Sequence, residues 1–255
     1  MSKNKVKRVL IDLAYPLIVV VVLLLLWQLL ATVLDATLIL PSPKQSFEQF
    51  VSYFGQKQFW IALAGTFWRS VYSFAFAFLV AVVFASVCCL SKVARKLILP
   101  FIAILRSIPT MSIILILIIW VSPALAPAIV AIVVTAPTLF SIFLGAFDSV
   151  DKKLLDMSKI YKVPTKDVIF KLYLPNMASQ LFEGCASGFS LNVKLVIAAE
   201  ALAYTTSSVG KMMQFAKINI EPAQLFALTL FAVILGVLTE LIIRLIGKKI
   251  VRWQK

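Results

Sequence analysis

The chain has 255 residues, 62% of them hydrophobic and 14% charged, with a mean hydropathy of +1.00 and a formal net charge of +14. This balance excludes an ordinary water-soluble domain, which does not carry repeated uncharged runs of about 20 residues, the length a helix needs to cross the hydrocarbon. There is no histidine, and the three cysteines have neither CxxC spacing nor a partner ligand, so the residues offer no metal site.

Lys3, Lys5, Lys7 and Arg8 precede a first apolar run over 13–34. The run is too long for the core of a cleavable signal, and Ala31-Thr32-Val33 is followed by bulky Leu34, so it reads as an uncleaved anchor. Leu40-Pro41-Ser42-Pro43 forms a stiff exit. Phe47, Phe50, Val51 and Phe54 then recur at helical spacing on one face, which suits an amphipathic helix lying in the membrane interface.

Five further apolar runs follow, over 60–90, 97–121, 123–147, 177–203 and 222–246. Trp60 and Trp68 flank the start of the first of these, as interfacial aromatics do. Backbone polar groups must be satisfied inside the lipid, and uninterrupted apolar runs lack the two-residue alternation of barrel strands. The expectation is an all-α polytopic membrane protein with six transmembrane helices. Its parts are an N-terminal tail and anchor (1–36), an extracytoplasmic linker (37–59), one membrane domain (60–246) and a basic tail (247–255).

Pro100, Pro109, Pro123, Pro127 and Pro137 concentrate in the third and fourth spans. Each internal proline removes a backbone hydrogen bond, so kinks are expected, either tolerated by neighbours or lining a pathway. The fifth span carries Gly184-Cys185-Ala186-Ser187-Gly188, whose small residues allow close helix packing. Cys88, Cys89 and Cys185 all fall within spans and read as packed free thiols.

Charges inside the spans are few: Arg106, Glu183, Lys194 and Glu200, with Arg69 and Glu240 nearer the ends. Arg106 has Glu183 or Glu200 as candidate partners. Lys194 and Glu200 are six residues apart and point in different directions on one straight helix. Two readings stand: a polar patch along a translocation path, with Arg106, Pro109, Lys194 and Glu200 as its candidates, or ion pairs that fix helix register. No catalytic constellation is present. Gly210-Lys211 resembles the end of a phosphate-binding loop, but Thr205 stands where that loop needs glycine and Met212 where it needs Ser or Thr. Nucleotide energy, if used, must come from another chain.

Under the six-span arrangement, eighteen of the 25 Lys and Arg fall on one side and five on the other, with Arg106 and Lys194 within spans. The positive-inside rule then sets both termini in the cytoplasm of a multi-pass cell-membrane protein. The basic balance therefore reads as topology with some attraction to anionic headgroups, and not as nucleic-acid binding.

One cytoplasmic segment, residues 151–175, is polar and cation-rich: DKKLLDMSKIYKVPTKDVIFKLYLP. Its first half is a short amphipathic helix with Leu154, Leu155, Ile160 and Tyr161 as apolar contacts, and Asp156 is placed to meet a cation on another protein. Val163-Pro164 breaks the helix. Thr165 starts a second one, bearing Val168, Ile169 and Leu172 and closed by Leu174-Pro175. Six lysines would also suit a loop resting on headgroups, but that leaves the apolar residues unexplained.

This segment resembles the cytoplasmic loop of importer-type ABC permeases, whose pattern is EAA, three residues, Gly, nine residues, Ile-x-Leu-Pro. Asp156, Met157 and Ser158 take the EAA places, Lys162 that of the glycine, and Leu172-Tyr173-Leu174-Pro175 the closing element. Asp for Glu is a mild change and Met157 is bulkier than alanine. Lys162 lacks glycine's access to a left-handed turn, so Pro164 is expected to end the helix instead. The resemblance extends to Leu40-Pro41-Ser42-Pro43, to Leu105-Arg106-Ser107-Ile108-Pro109 with Trp120, to Lys194 ahead of Ala198-Ala199-Glu200, and to Thr206-Ser207-Ser208-Val209-Gly210. These are similar to the branch importing nitrate, sulfonates, taurine or thiamine-precursor pyrimidines.

The resemblance implies the type I ABC importer transmembrane-domain fold and a non-enzymatic permease subunit without cofactor. Its implied partners are a second copy of itself in a homodimer, two cytoplasmic ABC ATPase subunits and an extracytoplasmic solute-binding protein. Asp156, Met157, Ser158, Tyr161, Lys162, Val163, Pro164, Leu172, Leu174 and Pro175 would form the ATPase contact. The alternative is a membrane scaffold or sensory subunit that docks a cytoplasmic partner without moving solute.

Overall fold

The computed structural model describes residues 3–34 and 38–251, with the backbone alone described at residues 3–14, 16 and 17. The described elements are helical. They run α1 (Lys3–Leu34), α2 (Pro43–Tyr53), α3 (Lys57–Leu90), α4 (Lys92–Ser107), α5 (Thr110–Trp120), α6 (Ala126–Asp148) and α7 (Lys152–Ile160). A single turn, α8 (Thr165–Asp167), leads through a π-helical stretch (Val168–Tyr173) into α9 (Leu174–Ala203), followed by α10 (Val209–Ile218) and α11 (Pro222–Ile250).

The centre of the bundle is α3, α6 and α9. Along α3, beyond the buried Phe59 of its first turn, the buried positions are Ala62, Thr66, Ser70, Ser73, Ala77, Ala81, Ala85 and Cys88, a stripe of small side chains every three or four residues. Lipid supplies no hydrophobic drive for helices to associate, so close backbone approach through small residues has to supply the contact. Against this stripe pack Leu139, Phe140, Phe143 and Leu144 of α6. The glycines of α9 serve the same purpose. A Cβ at Gly188 would meet Leu139 Cδ2 at 2.6 Å, and one at Gly184 would overlap the Ile142 side chain. The GxxxG expectation of tight packing is met.

The helical segment before α3, expected as an amphipathic helix, packs part of its apolar face on α11. Ser42 caps α2, accepting from Gln45 N at 3.2 Å while Gln45 Oε1 accepts from Ser42 N at 3.0 Å, a reciprocal capping box. Phe50 stacks on Phe231 of α11 with centroids 4.0 Å apart, and the buried Tyr53 donates to Gln224 Oε1 at 3.1 Å. Burial, and then the nearby Glu221 carboxylate, push the Tyr53 phenol up to about 12. Phe47 and Val51 stay exposed. Thus α2 is pinned to α11 by one half of its apolar face and leaves the other half for lipid.

The six-span expectation needs correcting at the third span. Residues 97–121 do not form one rod: α4 and α5 meet at 90° across Ile108-Pro109. Pro109 has no N–H to continue α4 and forces Ile108 to extended angles (φ −71°, ψ 127°), so the chain turns there. Pro100, by contrast, lies inside α4 without ending it. Among the described residues four helices are long and apolar enough to cross a membrane, five if the bent pair counts as one, and α1 contributes a shorter apolar stretch, Ile18–Leu34. Trp27 joins α1 to the rest, donating to Pro41 O at 3.0 Å and stacking on Phe226 at 5.3 Å.

Candidate functional site

Two constellations stand out, one on the polar segment and one within the bundle. On the polar segment, Asp151 starts α7, its carboxylate accepting from Lys153 N at 2.9 Å. The helix ends in a Schellman cap: Val163 N donates to Ser158 O at 2.9 Å and Lys162 N to Lys159 O at 3.1 Å. Lys162 occupies the left-handed position of this cap, at φ 49°. The expectation that lysine would abandon that geometry to Pro164 is therefore wrong. Two orphan carbonyls of the last turn are satisfied by the cap. Their gain offsets the roughly 1–2 kcal/mol that a Cβ costs there. Pro164 follows in an extended conformation and opens α8.

The second expected helix does not close at Leu174-Pro175 either. It continues through the π-helical stretch directly into α9, with Leu174 N donating to Ile169 O, five residues back. Proline lacks an N–H and its ring crowds the carbonyl four residues earlier; the wider π turn ahead of Pro175 gives that ring room without breaking the rod.

The inner face of the segment is anchored. Leu155, Leu172 and Tyr173 pack on Ala146, Val150 and Met177 at the ends of α6 and α9. The outer face is bare: Met157 is exposed, as are Ile160 at 76% and Tyr161 at 75%. Asp156 is exposed too and pairs with Lys159 of its own helix at 3.2 Å, a contact that adds little in water. Of the residues expected to form a contact surface, the tip of α7 and its cap lie together. Leu172 instead faces the core, while Leu174 is exposed and Pro175 lines an apolar cavity against Phe170 and Ile250.

Within the bundle, Glu200 of α9 is fully buried. It accepts from Arg69 Nη1 at 2.7 Å, Thr66 Oγ1 at 2.8 Å and Gly210 N at 3.3 Å. Arg69 also donates to Thr206 O at 3.0 Å and Ser207 O at 3.5 Å, and Thr66 Oγ1 accepts from Val209 N at 3.0 Å. The carboxylate thus sits at the N-terminus of α10, where the helix dipole favours it, and α3, α9, α10 and the 204–208 turn share one knot. The turn is tightly wound: Tyr204 and Ser207 hold φ of 52° and 50°, and a Cβ on Gly65 would overlap Ser207 O.

The expected pairing of Arg106 with Glu183 or Glu200 is not found; Arg106 donates instead to Ser141 Oγ of α6 at 3.0 Å. Glu200 is taken by Arg69, and Glu183 by Arg244 of α11, which also holds Glu240. Arg106 belongs to α4, which lies along α3 and α6, out of reach of those carboxylates. Lys194 is exposed on α9, and Pro109 is the corner of the bent pair. The four candidate path residues therefore lie in separate surroundings.

Residues 77–252 match the family described as binding-protein-dependent transport system inner membrane component. The chain belongs to this family. It is a type I ABC importer permease, a membrane protein of several spans. The permease is 23% identical over 232 residues to Escherichia coli (strain K12) SsuC, a protein named for aliphatic sulfonates transport, covering 89% of this chain and 87% of SsuC. Its fold is similar to inward-facing structures of the MetNI methionine ABC transporter. One has a TM-score of 0.57 at 20% identity, covering 77% of this chain and 94% of that one. Another crystal form gives 0.55 at 17% identity, with the same coverage.

One polar residue of the permease escaped the sequence reading. Asn192 is buried between α3, α6 and α9, donating to Ser70 O and Ser73 Oγ, each at 2.9 Å, and accepting from Thr135 Oγ1 at 3.4 Å. The signal was there: a lone amide in an apolar run, with Ser70 and Ser73 on one face of another. A second missed pair is Arg95 of α4 with Asp148 at the end of α6, a two-pronged contact at 2.8 and 2.5 Å.

Proposed function

We propose that this permease forms half of a homodimeric pore through which a small solute, anionic or heterocyclic, is imported, with both termini cytoplasmic. Energy comes from two ATPase subunits in separate chains, each docked on residues 151–175, and an extracytoplasmic binding protein delivers the solute. The observation that carries this reading is the tip of α7. Met157, Ile160 and Tyr161 stand exposed beside Asp156 on a segment whose other face is anchored to α6 and α9. An apolar cluster of this kind in water suits a protein partner. Similarity to SsuC supports a solute of the sulfonate kind.

Force applied at α7 and its cap reaches the spans through Leu155, Leu172 and the continuous helix into α9. The bundle then shifts between inward- and outward-facing packings, a population change driven by differential contacts in the two states. The variant Asp156→Ala with Tyr161→Lys is expected to hydrolyse ATP without matching uptake in proteoliposomes holding the whole assembly. Coupled transport unchanged in that variant refutes the docking assignment, and recovery of a kinase or adaptor in place of an ATPase refutes the importer reading.

A further inference from the structure

A cavity of about 430 Å3 opens between α9, α10 and α11, in the size range of small-molecule sites. Two of its lining residues are Lys194 and Lys217. Lys194 is about two and a half turns short of the end of α9 at Ala203, which places its Cα roughly 13 Å along the helix axis from that end. An ammonium at such depth is costly unless it faces a water-filled cavity or a counter-charge.

Among the described residues no carboxylate forms an ion pair with either lysine. Glu200 is engaged by Arg69, and Glu183 and Glu240 by Arg244. The remaining ion pairs lie elsewhere on the molecule, at Glu48, Asp148, Asp156 and Asp167. The rest of the wall is mainly apolar, including Ile197, Leu225 and Val233. Thr229 directs its hydroxyl to Leu225 O at 2.8 Å and Gln214 donates to Tyr204 Oη at 3.2 Å, which leaves the two lysines as the charged residues of the wall.

We propose that this cavity binds a compact organic anion, with one acidic group between Lys194 and Lys217 and an apolar body against Ile197, Leu225 and Val233. The inference rests on the importer reading and names the chemistry its path accepts. An anionic lipid offers the same pairing of acid and apolar body, so the source has to be distinguished by experiment.

The full chain, in its native assembly without ATP, is placed in nanodiscs of zwitterionic lipid and titrated with butanesulfonate, with butanol as the uncharged probe. Saturable butanesulfonate binding is expected, weakened about tenfold by each of Lys194→Met and Lys217→Met, as charge-assisted hydrogen bonds are worth about 1.5–3 kcal/mol. Lys211→Met is the control, because Lys211 lies over the Phe215 ring and not on the cavity wall. Loss of butanesulfonate binding on adding phosphatidylglycerol, restored when it is left out, assigns the site to lipid and overturns the solute. Binding that butanol equals, or that both methionine variants retain, overturns the anion site itself. ATP hydrolysis measured on the same samples reports separately on the importer reading, since it does not depend on occupancy of this cavity.

Discussion

Arg69→Ala tests the central knot most directly. Arg69 is largely buried, with 14% of its side chain exposed, and the Glu200 side chain is fully buried. Removing the guanidinium takes away the contact at 2.7 Å and the two bonds to Thr206 O and Ser207 O, leaving a carboxylate with only Thr66 Oγ1 and Gly210 N. Breaking a buried pair from one side costs about 3–5 kcal/mol, because the remaining charge keeps its desolvation penalty. That is a large share of a typical stability of about 5–15 kcal/mol. Removing both partners, as in Arg69→Met with Glu200→Leu, leaves no buried charge and is expected to recover more than half of the loss. The assay is reversible unfolding of the purified permease by SDS in mixed micelles, with the midpoints of wild type, single and double variants compared. A single variant within about 0.5 kcal/mol of wild type, or a double variant as damaged as the sum of its singles, refutes the view that Glu200 depends on Arg69.

Four other outcomes follow from the structure. Gly210→Ala places a Cβ at 2.6 Å from Ala201 N and 2.5 Å from Glu200 Cβ, backbone and stem that cannot swing away, so it should destabilise by about 1–3 kcal/mol or more. Gly145→Ala meets nothing within 4 Å on α6 and should be neutral or stabilising by up to about 1 kcal/mol in the same SDS titration. Lys162→Gly relieves the left-handed strain at φ 49° and should slow amide exchange at Lys162 and Val163 several-fold, about 1 kcal/mol, read by hydrogen-exchange mass spectrometry. The Tyr53 phenol, raised to about 12, contributes stability that is intact below pH 10, its ordinary value, and is lost as pH rises through about 12. A 295 nm titration of Tyr53→Phe should lose one late-titrating phenol relative to wild type.

The spans were largely legible because apolar runs near 20 residues have few alternatives in a chain of this hydropathy, and the GxxxG segment announced its packing. The bent pair was half legible. Pro109 was marked as a kink, but whether a proline bends a helix or ends it depends on what the flanking backbone can pack against, as Pro100 and Pro109 demonstrate by behaving differently. Lys162 was misjudged because a residue-level penalty was weighed without the two cap hydrogen bonds that outweigh it. The ion pairs were the least legible. Arg69 and Glu200 are 131 residues apart, and which cation meets which carboxylate is set by helix rotation, which spacing within one helix does not determine. For the same reason Asn192 could be noticed as an isolated amide but not given its partners.

The absence of a break at Leu174-Pro175 has a mechanical meaning. Thr165 to Ala203 forms one helical rod of 39 residues, about 58 Å long at 1.5 Å per residue. One end of this lever carries Pro164 and the cap of α7; Glu200, near the other end, is bolted to α3 and α10. A tilt of about 5° about the bolted end would carry the Pro164 end through roughly 5 Å, about one helical turn. Small angular changes deep in the bundle and large excursions at the surface are then the same motion, viewed from opposite ends of one rod.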